Sequence, residues 1–158
     1  MTFRLLDSLP ANAIGRHNSS AENRRRLDHL LDEGIGACWL GQPEIGELVE
    51  DALLAFDQAR YRLWAWCIVP NHVQCLFETI EGARLGDIVK SWKAYTGAKA
   101  NRVLGRQGPF WQRDYFDRYM RNQEQFARAI DYIERNPVAA GLCRQPSDWR
   151  WSSAFRRH

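Results

Sequence analysis

Long apolar segments and paired cysteines are both missing from this chain of 158 residues. It contains no run of about eighteen apolar residues, the length that a membrane-spanning helix requires. Its first residues lack the apolar core and the small-residue cleavage site of a secretory signal. The four cysteines are widely separated and form no C-x-x-C pair, which argues against a disulfide framework or a zinc-thiolate site. These absences favour a cytoplasmic protein with no membrane partner.

Lysine is scarce, so arginine carries almost all of the positive charge. Residues 1–79 contain 7 arginines and 11 acidic residues, a net charge of −4. Residues 80–158 contain 12 arginines and 3 lysines against 8 acidic residues, a net charge of +7. Because a planar guanidinium binds phosphate and stacks on bases, the second half is predicted to contain a nucleic-acid-binding face. A solvated basic surface without a ligand is the alternative.

One folded domain over residues 1–158 fits this length better than two small ones. Hydrophobic residues make up 45% of the chain and charged residues 26%, which is typical of a globular protein and not of a disordered one. The first strand is predicted over residues 2–6. Because it begins almost at Met1, we expect the start of the chain to cut into a longer first strand.

Apolar periodicity and turn residues divide the rest of the chain into helices and strands. The spacing predicts helices over residues 21–33, 44–58, 85–100 and 123–135, the first capped at Ser20 and the last ended by Asn136-Pro137. Aromatic and β-branched runs, or alternation of aromatic with charged residues, predict strands over residues 37–40, 61–69, 72–79 and 110–120. A turn is predicted at Pro70-Asn71.

His72 opens the strand that follows this turn. Residues two apart on a strand share a face, so Gln74 is expected to point the same way as His72, and Val73 and Cys75 toward the core. A lone histidine is more often structural than a ligand, so the pair alone leaves its role open. The remaining histidines have no evident partner in the sequence: His17, His29 and His158.

Tyr132 and Asn136 form a second candidate group near the end of the last predicted helix. They are four residues apart, so their side chains lie on one helical face, beside the apolar stripe and not within it. A boundary tyrosine and a helix-ending asparagine would explain them without any chemistry. A phenol held next to a metal-bound phosphate is, however, a competent nucleophile.

Five separated motifs extend these two groups over most of the chain. They are A-W-C-I-V-P-N-H-V-Q at residues 65–74, F-W-Q-R-D-Y-F-D-R at residues 110–118, Y-I-E-R-N-P at residues 132–137, Gly141-Leu142 and Trp151-Ser152-Ser153. In this order and spacing they resemble the single-tyrosine (HUH) transposases. Within that family, they are similar to the branch of REP-associated tyrosine transposases, bacterial proteins that act on hairpin-forming palindromic repeats.

The resemblance implies a ferredoxin-like α+β domain, with a central antiparallel sheet and helices packed mainly on one face. It implies that His72, Gln74 and Asn136 bind a divalent metal, Mg²⁺ or Mn²⁺, with Gln74 where the family has a second histidine. Tyr132 matches the nucleophile, and Tyr115 and Tyr119 rank below it because they belong to the strand motif. The implied activity is metal-dependent nicking and rejoining of single-stranded DNA through a 5′-phosphotyrosine, on hairpin-forming repeats.

Single-stranded or hairpin DNA is the expected partner, and the chain is expected to act as a monomer or a homodimer. Phosphate contacts and base stacking are expected from five arginines and one tryptophan: Arg102, Arg106, Arg113, Arg118, Arg121 and Trp111. Trp151 is left open between stacking and core packing. Because Gln74 replaces a histidine and all three metal ligands are neutral, the main alternative is a hairpin-binding protein that has lost catalysis. A metal-dependent hydrolase of small substrates would need carboxylates that this set lacks.

Overall fold

A computed structural model describes residues 1–9 and 21–157 of the chain. The predicted cap at Ser20 lies outside these residues, as do His17 and His158. Within them, three strands form one antiparallel sheet in the order β1-β3-β2. The strands are β1 (Thr2–Arg4), β2 (Tyr61–Val69) and β3 (His72–Thr79). The predictions for β2, β3 and the turn between them are confirmed, because a proline cannot continue the ladder and the flanking runs favour strands.

Five α-helices accompany the sheet in the described ranges. They are α1 (Ala21–Asp32), α2 (Pro43–Leu54), α3 (Leu85–Val103), α4 (Gln123–Ala139) and the short α5 (Ser153–Arg156). The four predicted helices are confirmed, with shifted ends. Gly34 follows α1 with a φ of +68°, a left-handed conformation that glycine adopts at little cost.

The alternation of β2 and β3 sorts their side chains onto two faces. Directly opposed residues of an antiparallel pair share a face, and Val73 lies opposite Ile68 while Gln74 lies opposite Cys67. Val73 and Ile68 belong to the larger core, which also contains the buried apolar residues of α2 and α3. Cys67 packs with Ile133 of α4 in a smaller core on the other face. The α+β class with a central antiparallel sheet is therefore confirmed, with α2 and α3 on one face and α4 across the other.

The strand predicted over residues 37–40 is wrong. Cys38 has a φ of +51°, a left-handed conformation outside the extended region, and Trp39–Gly41 forms a single 3₁₀ turn. Gly36, whose φ is +96°, precedes this turn. A short apolar segment between two glycines turns here instead of extending.

The segment 110–120 was predicted to be a strand, but it forms only two isolated bridges with the edge of β1. Thr2 of β1 pairs with Phe116, and Leu5, which follows β1, pairs with Trp111, so three steps from Thr2 to Leu5 correspond to five steps along the segment. The two extra residues prevent a continuous ladder. Lys93 of α3 satisfies the carbonyl groups of the intervening residues 112, 113 and 114, at 2.7, 3.0 and 3.2 Å from its Nζ.

The predicted end of α4 at Asn136-Pro137 is also wrong, because the helix continues through Pro137 to Ala139. Its end is set by Gly141, whose φ is +70°. The Leu142 N–H donates to the Pro137 carbonyl at 2.8 Å, and the Gly141 N–H donates to the Val138 carbonyl at 3.0 Å. This pair of bonds is the Schellman motif, which satisfies the last carbonyls of a helix. Pro137 removes one donor near the end of the helix without breaking it.

Candidate functional site

His72 opens β3 and is fully buried. Asn71 determines its tautomer, because Asn71 Nδ2 donates to the Leu31 carbonyl at 2.8 Å and so turns Oδ1 toward the imidazole. His72 Nδ1 lies 2.8 Å from that oxygen, which assigns the proton to Nδ1 and a free lone pair to Nε2. Burial lowers the pKa of His72 to about 3, so the ring is neutral near pH 7. This tautomer, with its N–H held by an oxygen, is typical of metal-binding histidines.

Buried polar atoms without partners are concentrated on the three predicted metal ligands. Across residues 1–9 and 21–157, five buried side-chain nitrogen or oxygen atoms lack a hydrogen bond, and four of them belong to these residues. The four are His72 Nε2, Gln74 Oε1, Gln74 Nε2 and Asn136 Oδ1. An unpaired buried polar atom costs about 1–3 kcal/mol, so buried polar atoms are usually paired. The unpaired atoms are thus concentrated on these three side chains and are available to a group from outside the chain.

The register of the sheet turns His72 and Gln74 toward α4. His72 lies opposite Val69 and Gln74 opposite Cys67, and both apolar partners pack with Ile133 in the smaller core. Tyr132 precedes Ile133, and Asn136 follows Tyr132 by about one helical turn. Helix α4 thus carries the phenol and the amide over the sheet face that holds the histidine and the glutamine.

Tyr132 is half-exposed, and its hydroxyl donates to Asp28 Oδ2 of α1 at 2.8 Å. Burial raises the pKa of Tyr132 above its ordinary value, and the Asp28 carboxylate raises it further by its charge and by this hydrogen bond. Gln74 acts in the opposite direction, although its amide does not reach the geometry of a hydrogen bond to the phenol. The phenol is therefore protonated near pH 7, and it needs a proton acceptor if it is to attack a phosphate.

A second carboxylate of α1, that of Asp32, contacts Asn136 of α4. Asn136 Nδ2 donates to Asp32 Oδ1 at 3.3 Å, and burial raises the pKa of Asp32. Sequence reasoning did not identify Asp28 and Asp32. Their i, i+4 spacing, which matches that of Tyr132 and Asn136, is the one local signal that pointed to a shared face. Among the described residues, no three His, Cys, Asp or Glu side chains form a group that could hold a metal.

Tyr132 and Gln74 line one solvent-open cleft with a volume of about 550 Å³. Asp28 also lines it, together with three arginines from α1, from the segment before α4 and from α4 itself: Arg25, Arg118 and Arg128. His72 and Asn136 are buried and are not part of its wall. The structure thus brings the phenol, Gln74 and a cluster of positive charge together at one opening. We name this opening the Tyr132 cleft.

The other predicted DNA-binding arginines are distributed over several surfaces. Arg113 is exposed in a groove beside α3, with Lys90 and Lys93. Arg106 lies over the Trp39 ring and is hydrogen-bonded to a neighbouring side chain. Arg102 and Arg121 are exposed at the end of α3 and just before α4. Of the five arginines, Arg118 alone lines the Tyr132 cleft.

The prediction that Trp111 stacks on bases is wrong. Trp111 is 7% exposed, packs against Phe3 in the larger core and donates its Nε1–H to Thr96 Oγ1 at 2.9 Å. Trp151 is buried in the same core. The alternation of aromatic and charged residues suggested a half-exposed strand, but the aromatic face of that segment is covered by α3.

Comparisons with known proteins agree on one family. The profile of the family described as "Transposase IS200 like" matches residues 44–136. The REP-associated tyrosine transposase of Escherichia coli K12 is 27% identical over 116 residues, which cover 70% of this chain and 65% of that protein. A Haemophilus influenzae relative with the same family name is 28% identical over 102 residues, 58% of each chain. The matched regions thus span less than two thirds of either relative.

One solved structure has the same fold. It is a REP-associated tyrosine transposase bound to a REP hairpin, and it matches with a TM-score of 0.62 and 20% identity. The match covers 98% of this chain and 74% of that one. Among the described residues, no helix has the length and apolar composition needed to cross a membrane.

Proposed function

Because this chain belongs to the IS200-like transposase family, we propose that it nicks and rejoins single-stranded DNA next to hairpin-forming repeats, with Tyr132 as the nucleophile. The observation that carries the proposal is the partnerless set of polar atoms on His72, Gln74 and Asn136, next to a half-exposed phenol. The hairpin named for the solved relative makes hairpin DNA the first substrate to test.

The three predicted ligands fit a divalent metal. His72 Nε2 has a free lone pair, and Gln74 Oε1 and Asn136 Oδ1 are neutral oxygen donors that Mg²⁺ or Mn²⁺ accepts. When bound there, the metal would polarise the scissile phosphate and offset the charge that develops on it. Because the three donors are neutral, we expect weak binding in the absence of DNA. Asp32, which accepts a hydrogen bond from Asn136, brings an acidic group into contact with one of these ligands.

The side chains of the cleft can perform the remaining steps. The Tyr132 oxygen attacks phosphorus and its proton passes to Asp28 Oδ2, while the bond from phosphorus to the 3′ oxygen breaks and that oxygen takes up a proton from solvent water. The products are a 5′-phosphotyrosine and a 3′-hydroxyl, and attack by another 3′-hydroxyl reverses the reaction. Arg118 and Arg128 line the cleft and would hold the phosphates on either side of the nick.

A covalent-adduct assay tests this proposal. Protein is incubated with a labelled DNA hairpin carrying single-stranded flanks and with Mn²⁺, and the labelled protein is resolved under denaturing conditions. We expect an adduct with the wild type and with Tyr119→Phe, a highly exposed tyrosine used as the control, but none with Tyr132→Phe. His72→Ala should lose the adduct and keep much of the DNA binding. An adduct formed by Tyr132→Phe would refute the assigned nucleophile.

The second candidate is a hairpin-binding protein without nicking activity. It is favoured by the raised pKa of the phenol and by the glutamine at position 74. The same assay separates the two functions, because this candidate predicts tight binding with no adduct on any hairpin substrate.

A further inference from the structure

A second cleft, with a volume of about 510 Å³, adjoins the Tyr132 cleft. Asp117, Arg118 and Met120 line both openings, so the segment before α4 forms the ridge between them. Met1 also lines both openings, so a strand that leaves the first opening can enter the second beside Met1 and this ridge. We name the second opening the Trp64 cleft, after the aromatic residue in its wall.

A β-bulge directs Trp64 into this cleft. Leu63 pairs with Phe77 and Ala65 pairs with Leu76, so Trp64 is an extra residue without a partner in β3. Bulges redirect a side chain out of the normal alternation of a strand. The Trp64 ring makes an edge-to-face contact with Phe126, with ring centroids 5.5 Å apart, and its side chain remains 40% exposed. A large aromatic surface is thus held in place and left open.

The charges around the Trp64 cleft favour different positions for a base and for its phosphate. Arg118 is exposed on the ridge, where it can contact a phosphate from either opening. Glu78 and Asp117 also line the Trp64 cleft, and their charges disfavour a phosphate in its interior. A neutral flat group is compatible with this interior, and the exposed Tyr119 is a further aromatic residue of the wall. The arrangement fits a nucleotide with its phosphate on the ridge and its base inside.

We propose that the Trp64 cleft is a base-stacking subsite for one unpaired nucleotide of the strand that enters the Tyr132 cleft. This inference rests on the proposed binding of single-stranded DNA, but it does not require nicking. It also assigns the stacking role to a tryptophan other than the buried Trp111.

A double-mutant cycle between protein and DNA tests the subsite. The probe is a fluorescent hairpin with single-stranded flanks of about ten nucleotides, within the site sizes of single-strand-binding domains. Single abasic sites are introduced at each flank position in turn, and Kd is measured by anisotropy without added divalent metal, so that no strand is cut. Trp64→Leu preserves apolar bulk without an aromatic face, and Trp64→Phe preserves a smaller ring. Phe155→Leu, which alters an exposed aromatic residue outside both clefts, is the control.

We expect Trp64→Leu to weaken binding of the intact probe by roughly 5- to 20-fold, the lower part of the range for loss of one base–aromatic stack. Trp64→Phe should lose less, and Phe155→Leu should match the wild type. At one flank position, base removal should weaken the wild type but cause little further loss in Trp64→Leu. Equal losses in both proteins at every position would overturn the subsite while leaving DNA binding intact. No binding of any probe by the wild type would instead refute the proposed function, and the subsite with it.

Discussion

The neutral, buried imidazole of His72 predicts a specific loss of stability in acid. In the folded chain its pKa is lowered to about 3 from an ordinary value of 6.5, because burial opposes the charged form. The unfolded chain therefore takes up a proton below pH 6.5 that the folded chain does not take up until about pH 3. The stability contributed by the neutral ring is complete above pH 6.5 and is lost progressively as the pH falls toward 3.

The size of this loss follows from the two pKa values. Within the window, stability falls by up to about 1.4 kcal/mol per pH unit for one such group. Between pH 6.0 and pH 4.5 the wild type should therefore lose about 2 kcal/mol through His72. His72→Gln removes the titrating group and leaves an amide that can still donate to Asn71 Oδ1.

Urea unfolding at a series of pH values, without added metal, measures this difference. Carboxylates titrate in both proteins, so the difference between their pH profiles isolates His72. His29→Gln serves as the control, because it removes a histidine whose side chain is 79% exposed. If the wild type and His72→Gln lose stability in parallel between pH 6.0 and pH 4.5, the ring is not buried and neutral in solution. The assignment of its free lone pair to a metal would then fail as well.

Three further predictions concern the clefts. Gln74→His should preserve or raise metal-dependent nicking, because it restores the histidine pair that the family resemblance implies. A loss of nicking over a Mn²⁺ titration would count against the metal site. Asp28→Asn should reduce the single-turnover nicking rate by roughly 10²- to 10⁴-fold through loss of the proton acceptor, whereas Asp117→Asn in the same cleft should retain most of it. Arg118→Ala should lower the slope of log affinity for single-stranded DNA against log salt concentration by about 0.7. Arg106→Ala should not change this slope, because Arg106 packs on Trp39. Equal slopes for the two arginine variants would show that Arg118 on the ridge does not contact a phosphate.

Local patterns predicted the elements whose structure depends on local interactions. Strands β2 and β3 were predicted with the observed ends, because aromatic and β-branched runs meet a proline turn. The end of α4 was misplaced, since Pro137 and Gly141 both signal a helix end and the glycine motif prevails. The segment 110–120 alternates like a strand, but β1 is too short to pair with all of it. The side chain of Lys93, from a distant helix, satisfies the carbonyls left over, and no local pattern contains that information.

Sequence spacing grouped residues of the candidate site in pairs, but it could not show that the two pairs lie close together. His72 with Gln74 and Tyr132 with Asn136 follow from strand and helix periods, and the family resemblance supplied the link between them. The hydrogen bonds of Asp28 and Asp32 reach residues 104 positions away, and such contacts depend on how α1 docks against α4. The exposure of Trp64 also depends on contacts between elements, because the β-bulge that produces it forms only when β2 pairs with β3.

The docking of α1 against α4 has a consequence for the order in which the protein matures. Both contacts between these helices close loops of about a hundred residues, so they form late compared with the β2–β3 hairpin. During synthesis, the arginine-containing α1 and α3 leave the ribosome before α4 exists. A nascent or truncated chain would therefore retain the basic side chains proposed to bind nucleic acid but would have no positioned phenol. In such a protein, the capacity to break a strand would be the last property acquired in folding and the first lost in local unfolding.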